Sequence, residues 1–237
     1  MGKRIIARRR GHGSTVYRAP SHRHHGPVKY PPVTIMGTGI VKDITHSPAH
    51  TVPVAEVAFE NGETYRFLAV DGLMVNSKIH IGENAPIERG NILPLKKIPE
   101  GTYVYNIELT PGDGGKLIRS AGSAALVVSM VKDNVILQLP SGKFKTVNGT
   151  CRATVGIPAG AGRKEKPFAK AGKKVHAFRS LAKAPFKVSG VAMNPVNHPF
   201  GGGSHQHVGR PSTVSAGAWP GQKVGRFSPR RKKLKKR

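Results

Sequence analysis

VPVAEVAFENGETYRFLAVDG, Val52 to Gly72, carries the reading that decides the fold. In AEVAF (Ala55 to Phe59) a polar Glu56 alternates with apolar neighbours. In TYRFLAV (Thr64 to Val70) Tyr65, Phe67 and Ala69 fall on one side. A period of two is that of a β-strand burying one face. Asn61-Gly62 and Asp71-Gly72, which interrupt and close the stretch, favour the φ > 0 geometry of hairpin turns. Short strands meeting at tight turns follow.

The same pattern extends outward. Val33 to Ile44 and Lys78 to Ile81 complete about five short strands, a number that suits a small, partly open barrel. After a loop around Pro94 a second set is expected at Thr102 to Leu109, Lys116 to Ser120, Ala124 to Val131, Val135 to Leu139, Lys143 to Val147 and Arg152 to Ile157. Pro111-Gly112-Asp113-Gly114-Gly115, Asp133-Asn134 and Pro140-Ser141-Gly142 connect them as turns. Helical signal is scarce. Its best instance is Ala171 to Ala184, where Val175, Phe178 and Leu181 or Ala182 recur at helical spacing while Lys173, Lys174, Arg179 and Lys183 lie elsewhere around the wheel. The chain therefore reads as all-β.

Charge divides the chain differently. Of 237 residues, 39 are Lys or Arg and 12 are Asp or Glu, a formal net charge of +27. Every carboxylate lies between Asp43 and Glu165. That middle holds 13 bases against its 12 acids, so the two acid-free flanks carry +26 between them. Eight of the eleven histidines also sit in the flanks, at 12, 22, 24, 25, 176, 198, 205 and 207. The flanks are rich in Gly, Pro, Ser and His and too poor in apolar residues to build a packed core alone, so they are expected to order only on a partner. An anionic partner is implied, because such an excess repels itself.

Several function classes fall away. The lone Cys151 cannot form an intramolecular disulfide and indicates a reducing compartment. No apolar run approaches the roughly 20 residues that span a bilayer, and MGKRIIARRRG is not followed by the apolar segment of a secretory signal, so the expectation is intracellular, with no membrane partner. Asn148-Gly149-Thr150 fits a glycosylation sequon but reads more simply as a turn. Gly115-Lys116 is no phosphate loop of the Walker kind: Thr110 stands where a glycine is required and Leu117 where Ser or Thr is. The histidines of GVAMNPVNHPFGGGSHQHVGRPS (Gly190 to Ser212) invite a metal site, with His205-x-His207 resembling a ligand pair, or a catalytic His198. Against the first, structural zinc sites usually draw on paired cysteines. Against the second, no carboxylate lies near these histidines along the chain to orient one. Histidines among arginines and glycines also stack on bases and donate to phosphates without any metal. The aromatic count is low, so contact with the sugar-phosphate backbone by Arg and Lys is the main device. Arg4, Arg8, Arg9 and Arg10 at one end and PRRKKLKKR at the other supply dense cation clusters for it, and Gly201-Gly202-Gly203 lets the backbone press against a nucleic-acid strand.

The Gly190 to Ser212 block, with TPGDGGKLIRSAGS (Thr110 to Ser123), VGIPAGAGRKEKP (Val155 to Pro167) and GKRIIARRRGHGS (Gly2 to Ser14), resembles the large-subunit ribosomal protein L2 (uL2) family in its archaeal or eukaryotic-type form. The resemblance implies an OB-like barrel followed by an SH3-like barrel, placed here at 33–84 and 85–165, between basic extensions 1–32 and 166–237 that thread into large-subunit rRNA. It implies a non-enzymatic role, without cofactor or metal, in holding rRNA domains near the peptidyl transferase region, in subunit association and in tRNA placement. Its partners would be large-subunit rRNA, other ribosomal proteins and the small subunit at the interface, in the cytoplasm. Carried onto this chain, the rRNA contacts would be Arg4, Arg8, Arg9, Arg10 and His12; Lys116, Arg119 and Arg163; Lys173, Lys174 and Arg179; and Asn194, His198, Gly201, Gly202, Gly203, His205, His207 and Arg210. The bacterial pattern differs where Asn197, Phe200 and Ser204-His205-Gln206-His207 stand. Asn197 can hydrogen-bond where that pattern has an acid, but supplies no charge. A metalloprotein built on His198, His205 and His207, or a DNA-compacting protein, would share parts of these features.

Overall fold

The computed structural model describes residues 2–163 and 165–227. The chain forms two compact units, one of Ser21–Ala169 and one of the described parts of Met1–Pro20 and Lys170–Arg237.

The first unit is built on ten strands: β1 Gly37–Thr45, β2 Val54–Phe59, β3 Thr64–Leu68, β4 Lys78–Ile81, β5 Ile92–Pro94, β6 Tyr103–Tyr105, β7 Ala125–Val131, β8 Asn134–Gln138, β9 Phe144–Asn148 and β10 Arg152–Val155. They hydrogen-bond in the order β3-β2-β1-β4-β5-β10-β6-β7-β8-β9. All pairs are antiparallel except β4 and β5, which meet at the single pair Ile81↔Ile92. The all-β character expected of the sequence is the character of this unit.

The decisive stretch folds as a hairpin, with Val57 opposite Tyr65 and Ala55 opposite Phe67. Ala55, Val57, Phe59, Phe67 and Ala69 line one core together with Tyr30, Val41, Ile79, Ile81 and Ile92. Phe59 packs edge-on against both Tyr65 and Phe67, with ring centroids 5.8 and 6.2 Å away. The alternation hides a second burial: Val54, Leu68 and Val70 face the other way and join Val28, Val52 and Tyr105 in another cluster. A third core gathers Leu93, Leu95, Val104, Ile107, Val127, Leu137 and Val155. Strand β5 thus contributes Ile92 to one core and Leu93, its neighbour on the opposite face, to another.

Five expectations for this unit need correction. Val33 to Met36 do not extend β1; after Pro31-Pro32 the Ile35 N–H turns back to the Pro32 carbonyl at 3.1 Å. The Asp71-Gly72 turn does not close a hairpin, because β4 pairs with β1. The strand expected from Thr102 ends at Tyr105, since Asn106 takes a left-handed φ of 50°. Lys116 to Ser120 form only the isolated bridge Ile107↔Leu117, with Ile118 at φ 55°. The supposed loop around Pro94 conversely contains β5; Pro94 needs no N–H there, and the next amide, that of Leu95, donates to Cys151 O at 2.9 Å.

The second unit holds α1 Ile6–Gly11, α2 Ala171–Arg179, and the short parallel strands β11 Thr213–Val214 and β12 Arg226–Phe227. Helix α2 is shorter than the expected Ala171 to Ala184. Lys183 N–H bonds to Phe178 O and Ala182 N–H to Arg179 O, each 3.1 Å, while Ala182 adopts φ 51°. This is a Schellman stop with alanine in the place glycine usually takes. The helix buries no residue, and Val175 stays 40 % exposed. Among the described residues of this unit, Val224 at 9 % exposure is the one buried hydrophobic residue.

Candidate nucleic-acid interface

In the second unit the N-terminal arm and the Gly-His loop come together, although nearly 200 residues separate them in sequence. Lys3 N–H donates to Val196 O at 2.7 Å. Around this stitch lies an open cleft of about 250 Å³, lined by Lys3, Arg4, Arg8, Asn197, His198 and Gly221 among others. Arg4 donates to His12 Nε2 at 2.9 Å, which places the neutral His12 proton on Nδ1. Arg9 Nε donates to Arg4 O at 3.1 Å, and Arg10 lies 6.0 Å from the centre of the Tyr17 ring. Arg8, Arg9 and Arg10 occupy the last turn of α1, where cations are favoured by the helix dipole. All four arginines are exposed, and no carboxylate exists in these stretches to neutralise them. Such a cleft is suited to a phosphate.

The loop is held by its own backbone. Asn194 O accepts from the Asn197 and His198 N–H groups at 2.9 and 3.1 Å, Gly201 N–H donates to His198 O at 2.9 Å, and Gly202 N–H to Met193 O at 3.0 Å. The return is so tight that a Cβ on Gly201 would stand against the Met193 carbonyl oxygen and 2.5 Å from the Asn194 carbonyl carbon. His198 lies against Gly190, its ring tilted 62° to that of Phe200 at 5.3 Å. His198 Nδ1 accepts from the Phe200 N–H at 3.0 Å, so the neutral ring keeps its proton on Nε2 as a donor. The backbone, not a carboxylate, orients this histidine; the sequence contained no signal for that role of Phe200. Asn194, Gly203, His205, His207 and Arg210 are exposed, while Gly201 and Gly202 are partly covered. The described residues contain no group of three or more His, Cys, Asp or Glu able to share a metal ion.

The remaining candidates lie elsewhere. On α2, Lys173 and Arg179 are exposed, and Lys174 sits 5.0 Å from the centre of the Phe186 ring. In the first unit Lys116 pairs with Asp113 at 3.4 Å and Arg163 is exposed. Arg119 is half-buried; it donates to Val28 O at 2.8 Å and Gly115 O at 3.3 Å, and burial holds its guanidinium below the usual arginine value, partly offset by Tyr30. Asp113 is held below its ordinary value: burial acts against this but is outweighed by bonds from the Leu109, Gly115 and Thr110 amides and by Lys116. The terminal PRRKKLKKR lies outside the described residues.

The model of the family described as Ribosomal Proteins L2, C-terminal domain, matches residues 88–218. The protein called large ribosomal subunit protein uL2 in Methanothermobacter thermautotrophicus is 52 % identical, with 98 % of each chain covered. Its namesake in Methanococcus vannielii is 51 % identical over 98 % of this chain and 100 % of its own. That of Methanococcus maripaludis is 52 % identical over 98 % of both. A match over more than half the chain and near-complete relatives at this identity place the chain in the uL2 family of large-subunit ribosomal proteins, in its archaeal form.

Proposed function

We propose that this chain is a structural, non-catalytic constituent of the large ribosomal subunit, bound to large-subunit rRNA in the cytoplasm. One observation carries the binding mode. A whole unit, acid-free in sequence, exposes its described arginines and buries a single described apolar residue, Val224. Among the described residues this unit has no packed core to hold it by itself, and phosphate neutralisation supplies what is missing. Among the described residues no helix is long and apolar enough to cross a membrane.

On this reading the residues named above from Arg4 to Arg210 meet rRNA near the peptidyl transferase region, with His198 as a hydrogen-bond donor to RNA and not a general base. The body, divided into an OB-like barrel at 33–84 and an SH3-like barrel at 85–165, faces other ribosomal proteins, and the assembly supports subunit association and tRNA placement. The switch of β5 from one core to the other supports such a division.

The test is binding of the full chain to a large-subunit rRNA transcript across a salt series. With about 6–10 phosphates neutralised, affinity falls about 10³–10⁵-fold between about 50 and 200 mM salt. Competition with duplex DNA at matched salt must leave rRNA strongly preferred. A near-flat salt dependence, or equal competition by DNA, overturns the proposal.

A further inference from the structure

Trp219 is the single tryptophan of the chain, and it is 77 % exposed. A lone exposed hydrophobic side chain needs no explanation by itself; this one draws its meaning from where it stands. It does not hang on a loose segment. Gln222 N–H donates to Trp219 O at 3.0 Å, with Pro220 and Gly221 between them and Gly221 at φ 103°. Proline followed by a residue of positive φ is the signature of a type II turn, which fixes the backbone from which the indole projects. The turn is tied to the cationic cleft. Arg8 Nη1 donates to Pro220 O at 3.4 Å, and Gly221 is part of the cleft wall alongside Arg4, Arg8 and His198.

We infer that Trp219 stacks on an unpaired nucleobase of the bound RNA while Arg8 and Arg4 take the adjoining phosphate. The inference rests on the rRNA reading above. A nucleotide joins an anionic phosphate to a planar π-face, the two features this place accommodates side by side. An acidic peptide would satisfy the arginines but leaves the indole without a planar partner, and duplex RNA keeps its bases stacked on one another. The low aromatic content of the chain argued against a broad stacking platform; one indole on a hydrogen-bonded turn beside a cation-lined cleft is instead a single-nucleotide site.

Because the chain has one tryptophan, its fluorescence under selective indole excitation reports this place alone. Full-length protein is titrated with single-stranded oligoadenylate, with duplex RNA of equal length, and with inorganic polyphosphate. The expected result is strong quenching by oligoadenylate and little by polyphosphate or duplex at saturation. Trp219→Ala weakens oligoadenylate binding about five- to a hundred-fold and leaves polyphosphate binding unchanged. Trp219→Phe recovers part of that loss, and circular dichroism of both variants checks that they fold. Equal quenching by polyphosphate, or unchanged oligoadenylate affinity in Trp219→Ala, overturns the stacking assignment while steep salt-dependent rRNA binding keeps the rRNA reading. Absence of any rRNA binding overturns both.

Discussion

The Glu108 carboxylate, wholly buried, is gripped by Arg152 from both its side chain and its backbone. Oε1 accepts from Arg152 Nη2 at 2.8 Å and Nε at 3.2 Å, while Oε2 accepts from the Arg152 N–H at 2.9 Å. Gly114 N–H also donates to Oε1, at 3.2 Å, which ties the Pro111–Gly115 turn to β10. On its other side the guanidinium lies 5.4 Å from the centre of the Tyr30 ring, whose hydroxyl shares a 2.6 Å hydrogen bond with Thr154. A buried pair this well satisfied is costly to break by halves. Glu108→Ala or Arg152→Ala is expected to destabilise the chain by about 3–5 kcal/mol, each leaving one buried group unpaired. Glu108→Ala with Arg152→Ala together is expected to lose less than the two single changes combined. Urea unfolding followed by circular dichroism checks this; additive losses would mean the pair is not energetically coupled.

His50 sets an acid-side prediction. Burial, then the nearby charges of Arg119 and His24, holds its imidazole below the ordinary 6.5. The folded chain therefore resists a proton that the unfolded chain accepts. The His50 contribution is fully present above pH 6.5 and is lost as pH falls below it. Stability measured at about pH 7 and about pH 5 should fall more in the native chain than in His50→Gln. Parallel losses in the two would show that His50 does not titrate with folding.

Two glycine replacements should act in opposite directions. Gly201→Ala drives a methyl group into the Met193 and Asn194 carbonyls, at a local cost of about 1–3 kcal/mol. Hydrogen exchange at Gly202 N–H, which donates to Met193 O, reads the opening of the loop. Gly172 lies in α2 with open space around its Cβ position, so Gly172→Ala is expected to add about 0.5–1 kcal/mol of helix stability. Unchanged exchange in Gly201→Ala would disprove the tight return.

Cys151 should be chemically silent until the chain opens. It is fully buried, and burial, with the charges of Glu108 and Asp113, pushes its thiol up to about 11. Labelling by a disulfide reagent is expected to follow the unfolding transition in urea. Rapid labelling in native buffer would place the thiol at the surface.

Much of this was legible in the residues themselves. Alternation in Ala55–Phe59 and Thr64–Ala69, turn dipeptides and the segregation of acids into Asp43–Glu165 act between near neighbours in the chain, so strand existence and charge layout could be read directly. The errors fell where one residue departs from its local pattern, as Asn106 and Ile118 do at positive φ, or where a proline such as Pro94 sits in a strand that needs no amide there. Helix α2 stopped early for the same kind of reason: nothing in the residue type marks Ala182 as the left-handed one.

By itself, then, the sequence determined the β-periodicity, the acid-free cationic arms and the family likeness, since these depend on composition and on contacts a few residues apart. Tertiary structure alone decided that β4 pairs with β1 and not β3, that Val54 and Leu68 are buried on the face the alternation left open, and that Arg8 meets the Trp219 turn beside His198. Those outcomes depend on which distant segments exclude water from one another and satisfy one another's hydrogen bonds, and no local periodicity carries that information.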